Sequence, residues 1–452
     1  MTILQVWYVT GDFFIFKLHN NKHTMLSISF IREQRDHLIE RLKVKNFHQV
    51  EIIDAIISED NERRSLQVKQ DNLQAELNAR SRDIGALYKE GKKAAADEAK
   101  EATVRLKEEI KELQQAQQKT ISSLQELLVQ VPNIPHASVP QGKGEDDNEK
   151  VREGGKLPVL ADGSVPHWDL ISRYDIIDFE LGNKLTGAGF PVYKGKGAKL
   201  QRALINFFLD ENIASGYKEV LPPLMVNEDS GFGTGQLPDK EGQMYHIQAD
   251  DYYLIPTAEV PVTNIFRDQI LRTKDLPVKY TAYTPCFRRE AGSWGKDVRG
   301  LNRLHQFDKV EIVQIVHPGH SYKTLEEMAS HIEGLIIKLG IPYRVMRLCG
   351  GDISFTSSLT YDFEVYSAAQ GKWLEVSSVS NFESFQANRL KLRFKDEGGK
   401  KTQLAHTLNG SALALPRIVA ALLENNQTAD GIKIPEILQP YTGFDLISNP
   451  MP

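Results

Sequence analysis

The 452-residue chain is poor in cysteine; only two occur, Cys286 and Cys349. That excludes a disulfide framework, and without a Cys-x-x-Cys spacing there is no sulfur cluster for zinc. A reducing, cytoplasmic setting fits. No apolar run approaches the roughly 18 residues of a membrane-spanning helix, so no membrane role is expected. An excess of charge of one sign is also lacking. A formal net charge of −5 does not mark a nucleic-acid binder, so any polyanion must be met by a local basic surface. The 41% apolar and 25% charged residues are those of an ordinary globular protein. The length points to two or three domains.

What is present begins with a heptad array from about residue 52 to 129. Leu66, Leu73, Leu77, Ile84 and Leu87 fall on alternating steps of three and four, with Gln70 and Arg80 in the remaining slots. After a break at Glu90–Ala96 containing Gly91, the series restarts with Leu106, Ile110, Leu113, Leu124 and Leu127. So narrow a stripe is a coiled-coil seam, and two such helices with a short break predict an antiparallel hairpin. Helices of about 35 residues reach roughly 50 Å, so the arm projects from the body. Its many cations, from Arg63 to Lys107, either contact phosphates or simply solvate a coiled coil, since acids are interleaved throughout. A Pro-, Gly- and charge-rich stretch, 136–165, reads as a linker. It separates residues 25–135 from a second domain, 166–452. That domain opens with Pro166-His-Trp-Asp-Leu and continues with an amphipathic helix at about Ala198–Ser215 and a strand ending in Leu221-Pro-Pro-Leu-Met-Val. Later segments alternate like antiparallel strands, which makes the fold class α+β.

The chemistry concentrates in Thr284–Glu311. An apolar run, Tyr280–Phe287, is followed at once by Arg288, Arg289 and Glu290. A Gly-rich charged loop to Gly300 comes next, and a returning strand from Leu304 to Val316. On a strand, Arg288 and Glu290 share one face. A cation beside an acceptor suits a ligand with phosphate at one end and donor groups at the other. Arg303 and Phe307 would add a phosphate contact and a ring against a base. The bland alternative is a surface hairpin with an incidental ion pair. Glu311 sits mid-strand among apolar neighbours, where a carboxylate is costly unless an internal arginine or a substrate meets it.

This segment resembles motif 2 of the class II aminoacyl-tRNA synthetases, and the chain from about Met25 to Leu446 is similar to the bacterial-type seryl-tRNA synthetase family. The resemblance implies an ATP site of Arg288, Arg289, Glu290, Arg303, Phe307, Glu375, Val376, Ser377, Ser378 and Arg417. It implies a serine pocket of Thr257, Ala258, Glu259, Arg288, Glu311, Asn409 and Ser411. Arg288 and Glu375 would be catalytic, and Glu375 with Ser378 would hold Mg²⁺. Arg417, in a stretch like motif 3, would stack on adenine opposite Phe307. The family usually has glycine where Ala412, Ala414 and Pro416 stand. Pro222 matches the motif 1 proline of a homodimer interface. The implied reaction is adenylation of L-serine by ATP, then seryl transfer to serine tRNA and also to selenocysteine tRNA, with the arm gripping the tRNA. A hydrogen-bonded hydroxyl discriminates serine from alanine by roughly 10⁴. The absence of zinc ligands fits the bacterial-type pocket and not the zinc-reading variant. Two other readings stay open: a homologue that charges a carrier protein, against which the arm weighs, and a non-catalytic RNA-binding homologue, against which the intact motif residues weigh.

Residues 1–24 are apolar and aromatic, yet they carry Asp12 and lack a basic n-region, so they make a poor signal peptide. Met25-Leu-Ser-Ile-Ser-Phe looks like the family's usual start. The native chain is therefore expected to begin at Met25; intact mass of protein purified from its own cell checks this, and a species starting at Met1 overturns it.

Overall fold

The computed structural model describes residues 27–290 and 299–448. The expectation for residues 1–24 and most of the Gly-rich loop after Glu290 lie outside them. Helices α1 (Val50–Lys89) and α2 (Lys93–Leu128) fold back on each other through Glu90–Lys92, where Gly91 adopts φ +75°. A left-handed residue of this kind is what glycine supplies without a Cβ clash. Leu77, Leu106 and Ile110 are buried along the seam with Leu73 against them. At the base, two short helices, Ile28–Glu33 and Arg35–Val44, bury Phe30, Ile31, Leu38 and Leu42 against Ile53, Ile56, Leu124 and Val131. Several arm cations are already paired: Arg63 with buried Asp60, Arg80 with Glu76, Lys92 with Glu90.

The body is built on an eight-stranded sheet: β1 (Glu149–Gly154), β2 (Lys218–Glu219), β3 (Val278–Phe287), β4 (Gln306–Val316), β5 (Tyr343–Arg347), β6 (Leu359–Ser367), β7 (Lys372–Glu383) and β8 (His406–Ala414). Their spatial order is β1-β5-β6-β7-β8-β4-β3-β2. All neighbours are antiparallel except β2 and β3. Two expectations change here. The stretch read as a linker contributes the edge strand β1, whose charged residues suit a sheet edge. The strand expected to end at Val226 pairs with β3 only over Lys218–Glu219, because Pro222 and Pro223 have no N–H for a ladder.

Period-two alternation then sorts the side chains. Val310 and Ile312 of β4, and Leu408 and Ala412 of β8, join the main core under helices α4 (Gly195–Ala214), α7 (Ser321–Leu339) and α9 (Leu415–Asn425). Lys309, Glu311, Asn409 and Ser411 therefore face the other way, toward two short helices, α6 (Glu259–Asn264) and α8 (Phe385–Arg389), both packed on α5 (Glu228–Thr234). On β7 the register shifts near Val376, so that Glu375 pairs with Glu364 and Ser378 with Asp362. This bulge puts Glu375 and Ser378, three apart, on one face.

A buried pair joins α9 to the returning end of the loop before β4. Glu424 and His167, the latter from α3 (His167–Arg173), are both fully buried. His167 Nε2 accepts from Leu301 N at 2.9 Å, so its Nδ1–H donates to Glu424 at 2.8 Å. Glu424 also accepts from the His167 N–H, the Ser367 hydroxyl, and the N–H groups of Ala369 and Gln370. A Cβ on Gly300, at φ +68°, would come 2.3 Å from His167 Nε2. Burial alone would raise the Glu424 pKa, but the hydrogen bonds led by His167 outweigh it and hold it below the usual carboxylate range. A depressed pKa contributes stability above the unfolded value and loses it as pH falls through the folded one. Glu424→Leu should lower unfolding free energy by about 3 kcal/mol, since it strands buried donors. Denaturant titrations at pH 7 and pH 4 should show a smaller acid loss in the variant than in the parent.

Candidate functional site

One cavity of about 590 Å³ opens on the site face of the sheet, between its strands and α6, α8 and the start of α9. Its wall includes Thr257, Glu259, Arg288, Glu290, Arg303, Phe307, Glu311, Glu375, Val376, Ser377, Ser378, Asn409, Ser411 and Arg417. Two expected residues are not brought into that wall. Arg289 turns outside it, its backbone N–H donating to Gln243 O at 2.9 Å. Ala258 is fully buried behind it, packed with Val262, Ala282 and Val313.

At one end the residues are cationic and aromatic. β3 stops at Phe287, so Arg288 and Glu290 do not share a strand face as expected; Glu290 instead takes φ +49° and still reaches the cavity. The Arg288 guanidinium lies 5.2 Å from the Phe307 ring centroid, and its Nε donates to Pro256 O at 3.4 Å. Arg303 pairs with Glu290 at 3.2 Å. A ligand that uses both must take the place of this contact. Arg417, on the first turn of α9, donates from Nε to Asn302 O at 3.1 Å and from Nη1 to Glu375 O at 2.7 Å. Its fork is thus held between the loop and β7.

Between the ends, Ser378 Oγ donates to Glu375 Oε1 at 3.3 Å. Asp362 stands beside them with Oδ1 shut off from solvent and lacking a hydrogen-bond partner among the described residues. Burial first, then the Glu375 charge, push its pKa well up. Among the described residues no group of three or more His, Cys, Asp or Glu is placed to hold a metal by itself.

At the far end the residues are polar and deeply buried. Glu311 stands directly across the ladder from Ser411, whose hydroxyl donates to it at 3.4 Å. Its ion partner is a lysine, not the arginine that was one expectation: Lys309 Nζ lies 2.6 Å from Glu311 Oε2. Lys309 also donates to Thr257 Oγ1 at 2.9 Å. Thr257 and Glu259 are not on an extended run as expected, since Glu259 begins α6, yet both line the pocket. Glu259 accepts from Gln386 Nε2 at 2.6 Å. Burial, then Glu311, push the Glu259 pKa up to about 7. Lys309, Asp362 and Gln386 escaped the sequence reading. Lys309 was findable: it lies two before Glu311, so on a strand it shares its face. Asp362 and Gln386 carry no signal beyond being polar.

The N-terminal region matches the seryl-tRNA synthetase N-terminal domain over residues 25–135, and the body matches the class II core domain shared by the G, H, P, S and T synthetases over 244–426. The serine--tRNA ligase of Salinibacter ruber is 51% identical over 93% of this chain and 98% of its own. The chain belongs to the seryl-tRNA synthetase family. Among solved structures, the Pyrococcus horikoshii seryl-tRNA synthetase complexed with ATP superimposes with TM-score 0.87 at 35% identity, covering 94% of this chain and all of its own. The Naegleria fowleri cytoplasmic enzyme in complex with AMP gives 0.83 at 25% identity. Arg288, the cation set against Phe307, is the residue whose loss tests the cationic end most directly. Arg288→Ala should slow adenylate formation at least about 10²-fold, roughly 3 kcal/mol; pre-steady-state adenylation measures it, and an unchanged rate removes Arg288 from that role.

Proposed function

We infer that this protein is a serine--tRNA ligase that activates L-serine with ATP and transfers the seryl group to the 3′ end of serine tRNA. The observation that carries this is the convergence of the motif residues on one cavity, with cations at one end and buried acceptors at the other. In the first step the serine carboxylate attacks the α-phosphate in line, giving seryl-adenylate and pyrophosphate. In the second a ribose hydroxyl of the terminal adenosine takes the seryl group. Neither step needs a protein nucleophile; positioning and neutralisation of phosphate charge dominate. Arg288 bridges the α-phosphate and the substrate carboxylate, and Phe307 offers a face to the base. Arg303 and Arg417 meet the distal phosphates and the adenine, and Glu290 accepts from the adenine amine. Thr257, Glu259, Glu311, Asn409 and Ser411 read the ammonium and hydroxyl of serine.

Magnesium supplies charge neutralisation at the phosphates when bound. The donor set fits: one carboxylate and one hydroxyl, Glu375 and Ser378, suffice for an ion that keeps most of its shell for phosphate and water. Homodimerisation is supported by Leu221 and Met225, 84% and 51% exposed beside the Pro222 turn. The α1–α2 hairpin supports tRNA binding, with selenocysteine tRNA as a second substrate. The free cysteines, and the absence among the described residues of a helix able to cross a membrane, agree with a cytoplasmic enzyme.

Serine-dependent ATP–pyrophosphate exchange should be observed, followed by charging of purified serine tRNA. Exchange without charging points to a carrier protein as acceptor, and no exchange overturns the assignment. Removing about Leu66 to Leu127 should spare exchange and abolish charging; loss of both would make the hairpin structural.

A further inference from the structure

The amino-acid end of the cavity holds two buried carboxylates and one buried cation. Lys309 is committed to Glu311, at 2.6 Å, and to the Thr257 hydroxyl, at 2.9 Å. Glu259 has no cation of its own among the described residues. Its Oε1 accepts from Gln386 Nε2 at 2.6 Å, and Gln386 is itself fully buried on α8. The Gln386 amide can point only one way. Its Nε2 also donates to Thr234 O at 3.2 Å, and its Oε1 accepts from the Thr407 hydroxyl at 2.7 Å. A flip would set an oxygen against both the Thr234 carbonyl and Glu259. The Asn409 amide stands near enough to favour the ionised carboxyl, yet among the described residues its Nδ2 makes no hydrogen bond.

The charged groups acting on Glu259 are Glu311 and Lys309, both from β4; α8 and β8 face it with the amides of Gln386 and Asn409. An isolated carboxylate in such a place is costly when ionised and beside a second carboxylate. We propose that Glu259 holds a proton while the pocket is empty and releases it to solvent when the substrate ammonium docks, with Lys309 serving as the standing counter-ion of Glu311 and Gln386 as the positioning residue that keeps one Glu259 oxygen turned to the cavity. This rests on the serine-binding role of the pocket inferred above. The balance is simple. A neutral carboxylic acid and an ammonium become a carboxylate–ammonium pair, and one proton passes to buffer. The sign follows. Below the Glu259 pKa, near 7, binding must expel a proton, so affinity for serine falls as pH falls. Above it, affinity no longer depends on this group.

The test is calorimetric titration of the full-length protein with a non-hydrolysable seryl-adenylate analogue, in buffers of different ionisation enthalpy. Close to one proton should be released per site at pH 6 and almost none at pH 8.5. A desamino version of the analogue should release none at either pH. Glu259→Gln should remove the release while the fold, followed by circular dichroism, persists. Gln386→Met should raise the serine KM about tenfold or more, leave the ATP KM near its parent value, and move the release midpoint to higher pH, because a donor to the ionised form is gone. No buffer dependence at pH 6, or a release that survives in Glu259→Gln or with the desamino analogue, overturns the proposal. If serine-dependent exchange is intact in that case, only the proton linkage fails. If exchange is absent, the assignment of the pocket fails with it.

Discussion

The geometry of the cationic end of the cavity depends on the buried contact between Glu424 and His167. One carboxylate gathers donors from His167 on α3 and from the Ser367–Gln370 turn. The imidazole passes that constraint on, because its other nitrogen takes the Leu301 N–H. Arg303 follows two residues later, and the Asn302 carbonyl between them receives Arg417. Two arginines from distant parts of the chain are thereby fixed to one frame. Preorganised cations of this kind act on developing phosphate charge without reorganising at the moment of reaction.

The cleft sorts charge along its length. A chain with a formal net charge of −5 places Arg288, Arg303 and Arg417 at one end of the cavity and Glu259 with Glu311 at the other. That polarity matches a ligand that is anionic at its phosphates and cationic at its amine. It also sets two buried acid groups beside a single lysine, and ionising both would be costly. The ion pair to Lys309 settles one of them. The other is left for the visitor.

Much of this was legible in the sequence, for reasons that can be named. The hairpin showed itself because a seam repeats at Leu66, Leu73 and Leu77 and again at Leu106 and Ile110, and repetition survives ignorance of tertiary contacts. The site strands showed themselves by alternation, which placed Glu311 on a face before any partner was visible. What stayed hidden depended on packing between segments far apart. The edge strand β1 comes from a stretch whose Pro, Gly and charge look like a tether, because an edge strand needs little apolar character. β3 stops at Phe287 and Glu290 takes a left-handed φ, where the letters would continue the strand. Gln386 belongs to a five-residue helix and matters only because Glu259, 127 positions earlier, folds against it.

The root of the arm also has a mechanical consequence. Asn133, fully buried, donates to the carbonyls of Thr356 and Phe382, and Lys45 donates to those of Ser354, Phe355 and Ser357. Residues 354–357 belong to the cavity wall, as does Val129 at the end of α2. Hydrogen bonds tolerate a few tenths of an ångström before weakening steeply. The hairpin is therefore a lever whose fulcrum is set into the reaction chamber. With an arm of about 50 Å, a displacement at the far tip reaches the wall much reduced, through carbonyls that already carry the root's hydrogen bonds.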